Sequence, residues 1–205
     1  MSTTAQMNQT ARMDIQGRAA ERYEEKDFGF WLYLMSDAVI FACLFATYLI
    51  MVGNAAGGPE PNDVFSLDRA AAETALLLLS SATFGIAAVS LSAGERSKVI
   101  LWLGITFLLG IGFIYLEFDE FRGMIAEGAG PHRSGFLSAF FTLVGTHGLH
   151  VSVGLFWILV MIGQVFFKGL TAPVASRLMR LGMFWHFLDI IWVVIFSVVY
   201  LPGLI

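Results

Sequence analysis

Two pairs of polar residues stand where apolar ones are expected. Gly145-Thr146-His147-Gly148-Leu149-His150 lies inside an apolar run, residues 136–167, and Phe184-Trp185-His186-Phe187-Leu188-Asp189 lies inside another. His147 and His150 are three residues apart, as are His186 and Asp189, so each pair shares one helix face. Three imidazoles and a carboxylate are ligand groups, and i,i+3 pairs on two helices resemble the metal sites of helical bundles. The same groups serve equally well as interhelical hydrogen-bonding glue. Proton handling through Asp37 or Glu117, and lipid or partner binding, are the other readings. Polar side chains at membrane depth are costly and face the bundle interior, so the two faces are expected to meet.

The elements that must position these groups follow from composition. The chain has 205 residues, is 57% hydrophobic and only 14% charged, with a mean hydropathy of +0.74. Soluble domains average about 25% charged residues, so the class is an all-α integral membrane protein. The single cysteine, Cys43, excludes an internal disulfide and a thiolate metal cluster. Residues 1–27 are polar, hold no apolar run, and read as a cytoplasmic tail without a cleavable leader.

Residues 28–205 read as one five-helix transmembrane bundle, with spans near 28–52, 70–93, 99–121, 136–167 and 178–205. Each is long enough to cross about 30 Å of hydrocarbon. Gly57-Gly58-Pro59, Gly128, Gly130, Pro131, Gly169 and Pro173 punctuate the breaks. With the N-terminus inside, Arg12, Arg18, Arg22, Lys26, Arg96, Lys98, Lys168, Arg177 and Arg180 fall on the inner side. Arg69, Arg122 and Arg133 fall outside. Nine against three predicts a cytoplasmic N-terminus and a periplasmic C-terminus.

Asp37 enters the first span by about nine residues, or roughly 14 Å at helical rise. Glu73 and Glu117 sit nearer the outer face, on the second and third spans. A carboxylate in hydrocarbon must be paired, hydrogen-bonded or protonated. Glu117-Phe118-Asp119-Glu120 reads as a solvated acidic helix end. Gly104, Gly110 and Gly112 on the third span, and Gly145, Gly148 and Gly154 on the fourth, are expected at close helix contacts or along a smooth lipid groove.

Several longer motifs then occur in order: Ser134-Gly135-Phe136-Leu137-Ser138-Ala139-Phe140-Phe141, Thr146-His147-Gly148-Leu149-His150-Val151, Phe184-Trp185-His186-Phe187-Leu188-Asp189-Ile190-Ile191-Trp192 and Val199-Tyr200-Leu201. Over residues 28–205 the chain resembles subunit III of the haem–copper terminal oxidases. Phe28-Gly29-Phe30-Trp31-Leu32-Tyr33-Leu34-Met35-Ser36-Asp37 and Ala56-Gly57-Gly58-Pro59 resemble the quinol-oxidising, cytochrome o branch; the cytochrome c branch is the alternative. The family's carbodiimide-reactive glutamate maps onto Asp37. The resemblance implies an accessory subunit of the bacterial inner membrane that carries no haem or copper of its own. The redox centres and proton pump would lie in subunit I, against which this chain would pack. It would hold phospholipid in a cleft, aid oxygen access and sustain proton uptake. Asp37, Glu73, Glu117, His147, His150, His186 and Asp189 then become bracing or lipid-cleft residues, with no catalytic or metal role. A membrane metalloenzyme using His147, His150, His186 and Asp189 is the rival.

Overall fold

The computed structural model describes residues 3–55, 57 and 66–204, all helix, turn or coil. Most of the break expected at 53–67, including Ala56, Gly58 and Pro59 of the family-like motif, lies outside the described residues. Helix α1 spans Thr3–Met51, α2 Leu67–Ser92, α3 Arg96–Ala126, α4 Gly135–Lys168 and α5 Ala172–Ile195. A π-helical turn, Phe196–Tyr200, and a 3-10 turn, Leu201–Leu204, follow α5. Among the described residues, five stretches are long and apolar enough to cross a membrane: Glu25–Met51, Asp68–Ser92, Arg96–Ala126, Gly135–Lys168 and Ala172–Tyr200.

Local chemistry sets the ends. Ser134 caps α4, its hydroxyl accepting from the Leu137 amide at 3.2 Å. Gly169 closes α4 at φ +68°, a left-handed conformation that suits glycine. α5 starts six residues before the expected boundary. Pro173 marks its first turn rather than a break, because an N-terminal turn does not need the missing N–H. α3 runs five residues past its expected end, since Arg122 does not stop it. The chain turns only after Ala126, with Gly128 at φ +81°.

The chain divides into two units, 1–38 and 39–205, with α1 running through both. In the first, the Ser36 hydroxyl donates to the Leu32 carbonyl at 3.0 Å. In the second, each of α2 to α5 packs on its chain neighbour, and α2 also packs on α5, which closes a ring. Its core centres on Trp185 and Trp192 of α5, each 1% exposed. Gly110 of α3 and Gly154 of α4 flank the Trp185 ring. A β-carbon on Gly110 would lie 3.1 Å from it, and one on Gly154 3.0 Å. Gly104, by contrast, has no atom of another described helix within 4 Å of where a β-carbon would lie.

Candidate functional site

α2 supplies the polar edge against which α5 is set. Ser80 donates its hydroxyl hydrogen to the Leu77 carbonyl at 2.7 Å, which leaves its oxygen to accept from the Trp185 indole N–H at 3.1 Å. Thr74 repeats the device, donating to the Ala70 carbonyl at 2.7 Å and accepting from the Trp192 indole at 3.1 Å. Ser81 shares a 2.8 Å hydrogen bond with His186 Nδ1. Thr83 shares one of 2.8 Å with Thr106 of α3. These hydroxyls were not singled out from the sequence. Their readable signal is recurrence along one helix, paired with indoles at 185 and 192.

The residues of the two pairs sit in different surroundings. His147 is fully buried and boxed by aromatic rings: Phe113 at 5.9 Å and 90°, Trp192 at 5.3 Å, and Phe41 at 6.4 Å. Neither of its nitrogens has a hydrogen-bond partner among the described residues. His150 turns back on its own helix, where Nδ1 lies 2.7 Å from the Thr146 carbonyl. A carbonyl only accepts, so Nδ1 carries the proton. His186 instead faces α2, bonded to Ser81 and edge-on to Phe84 at 5.8 Å. Asp189 stays close to it, with Oδ2 3.6 Å from Nδ1. Asp189 lies four residues after Trp185 and three before Trp192, so it shares their buried face at 7% exposure, while His186 is set toward Ser81 of α2. Among the described residues, no group of three or more His, Cys, Asp or Glu side chains is placed to hold a metal ion.

A carboxyl cluster takes the place of the expected acidic helix end. Glu117 and Glu120 are each 4% exposed, while Phe118 and Asp119 between them face outward. Glu120 accepts from the Tyr200 hydroxyl at 2.8 Å. Glu73 of α2 is fully buried within electrostatic reach of Glu120 and Arg69. The spacing already carried the signal, because residues 117 and 120 share a face. Charge density was the wrong guide. Of the nearby cations, Arg69 pairs with Asp119 at 3.3 Å, Arg122 lies over the Phe118 ring at 5.3 Å, and Arg133 donates to the Gly57 carbonyl. Asp37, in the first unit, interacts with Tyr33 one turn earlier.

Tyr200→Phe tests this cluster. It removes one donor from a buried carboxyl and is expected to destabilise the chain by about 1–3 kcal/mol, measured by denaturant titration in mixed micelles. A change within error would show that Glu120 does not depend on that bond.

Gly148 ties the second motif to the cluster. A β-carbon there would lie 2.7 Å from Glu117 Cδ, so the glycine is the room the carboxyl occupies. The sequence as a whole is matched by known proteins. Residues 14–204 match the family of cytochrome c oxidase subunit III. The chain belongs to that family. A cytochrome bo(3) ubiquinol oxidase subunit 3 from Pseudomonas aeruginosa is 57% identical over 176 residues, which is 86% of this chain and 84% of that one. Its counterpart in Buchnera aphidicola subsp. Baizongia pistaciae is 49% identical over 89% of this chain and 94% of its own. The cytochrome c oxidase subunit 3 of Bacillus sp. (strain PS3) is 43% identical over 89% and 88%. As a subunit III with five membrane-capable helices, the protein is a multi-pass component of the bacterial inner membrane.

Proposed function

We propose that this subunit III is a cofactor-free accessory subunit of a proton-pumping ubiquinol oxidase, which oxidises quinol and reduces oxygen to water. The observation that carries the reading is near-full-length identity of 57% and 49% to proteins named as ubiquinol oxidase subunit 3. The cytochrome c oxidase relative stands at 43%, which favours the quinol branch. Membership of a subunit III family places the chain in a complex with other oxidase subunits. The haem and copper then belong to subunit I, the proposed neighbour.

Within that complex, Asp37, Glu73, His147, His150 and Asp189 brace the helices. Support comes from their surroundings: rings around His147, a backbone carbonyl on His150 and the His186 imidazole beside Asp189. Glu117 and His186 also line surface grooves of about 310 and 350 Å³, where membrane lipid is the proposed occupant or neighbour. Aid to oxygen access and proton uptake follows as part of the same proposal. Deleting the chain is expected to leave an oxidase that assembles poorly or loses activity during prolonged turnover. Unchanged assembly, pumping and endurance would overturn the reading.

The proposed orientation is a cytoplasmic tail over residues 1–27 and a periplasmic C-terminus, supported by the nine-to-three distribution of Lys and Arg. A reporter fused after Ile205 is expected to be active only in its periplasmic form. Activity of a cytoplasmic reporter there would reverse the topology.

A further inference from the structure

Three carboxyls from two helices share one buried region. Glu117 and Glu120 of α3 are each 4% exposed, and Glu73 of α2 is fully buried within electrostatic reach of both. They are not equally provided for. Glu120 accepts from the Tyr200 hydroxyl at 2.8 Å and feels the Arg69 charge. Neither oxygen of Glu73 has a hydrogen-bond partner among the described residues, and nor does Oε2 of Glu117. Glu73 comes from a different helix and points its unpartnered group toward the α3 pair.

A carboxyl sealed from water can settle its charge with a cation, with hydrogen-bond donors or with a proton. Arg69, one turn earlier on α2, is within electrostatic reach of Glu73, but its guanidinium pairs with Asp119 at 3.3 Å on the half-exposed surface. Glu117, Glu120 and Tyr200 also lie within electrostatic reach of Glu73, and none of them is a cation. Among the described residues no group of three or more ligand side chains is placed to hold a metal ion. The neighbouring donors are already committed. Tyr200 has one hydrogen and gives it to Glu120. Thr74 donates to the Ala70 carbonyl, and the Trp192 indole donates to Thr74. A proton is what remains. It turns an ionised group into a neutral one, which is far less costly to bury, and it removes the repulsion between like charges.

We propose that the α2–α3 carboxyl cluster is a proton-binding site, with Glu73 and Glu117 held as neutral acids and Glu120 as the anion that Tyr200 and Arg69 stabilise. The site follows from this chain's own residues and does not rest on the accessory-subunit reading, so either can fail without the other.

The test compares intact oxidase complexes in lipid nanodiscs by infrared spectroscopy at neutral pH. The difference between the wild type and Glu73→Gln is expected to show the loss of one carboxylic acid C=O stretch, with haem spectrum and subunit ratio unchanged. Glu117→Gln is expected to remove a second such stretch. Loss of carboxylate stretches instead, in either variant, overturns the proposal, because the group is then ionised and stabilised by something other than a proton. Failure of Glu73→Gln to assemble overturns it as well. An amide matches a neutral acid in shape and charge, so it should replace one without loss of the fold.

Discussion

Trp185→Ala is expected to destabilise the bundle by about 3–5 kcal/mol, the usual cost of deleting a large buried aromatic side chain. The residue is 1% exposed and meets three other helices: Ser80 of α2 through its indole N–H, Gly110 of α3 and Gly154 of α4. Both glycines lack a side chain where the ring lies, so neither can fill the void. Denaturant titration of the chain in mixed micelles measures the loss, and recovery of the chain with its oxidase partners reports the consequence. Trp185→Phe separates the contributions. It keeps most of the ring volume, loses the bond to Ser80 and is expected to cost about 1–2 kcal/mol. Equal losses for Phe and Ala would mean that the hydrogen bond, not the packing, sets this position.

At His147, substitution by phenylalanine and by alanine are expected to differ sharply. The imidazole makes no hydrogen bond among the described residues and contacts Phe41, Phe113 and Trp192. Packing therefore explains it better than ligation. His147→Ala opens a cavity between α1, α3, α4 and α5 and is expected to cost about 2–4 kcal/mol. His147→Phe keeps a ring in the same box, removes two buried polar nitrogens and is expected to cost about 1.5 kcal/mol or less. Stability in mixed micelles and turnover of the complex are the two readouts. If His147→Phe is as stable as the wild type yet turnover collapses, the imidazole has a chemical role that the bracing proposal does not contain.

The number and placement of the spanning helices were legible because length and hydropathy are properties of the chain alone. Five runs, each above 20 residues, exceed what a 30 Å hydrocarbon layer requires. Boundaries were less legible where a charged residue continues a helix, as Arg122 does, or where proline opens one, as Pro173 does. Motif order also identified the family. The i,i+3 spacing of His147 with His150, of His186 with Asp189, and of Glu117 with Glu120 was on the page as well.

What that spacing left open is the direction each face takes. A helical repeat fixes residues relative to their own axis and says nothing of how the axis is rotated among its neighbours. In water, an apolar stripe would settle the rotation. In a membrane, lipid and core are both apolar, so the hydrophobic pattern barely distinguishes them. Small and polar residues decide instead. The Thr74 and Ser80 hydroxyls draw the two indoles onto α2, Gly110 and Gly154 admit Trp185, and Gly148 admits Glu117. That seating turns His186 toward α2, leaves His147 among rings and buries Glu120 under Tyr200. The sequence by itself determined five membrane helices, their polar faces and their family. Only the packed bundle decided which faces touch, because each contact depends on two helices whose rotations no single run of residues records.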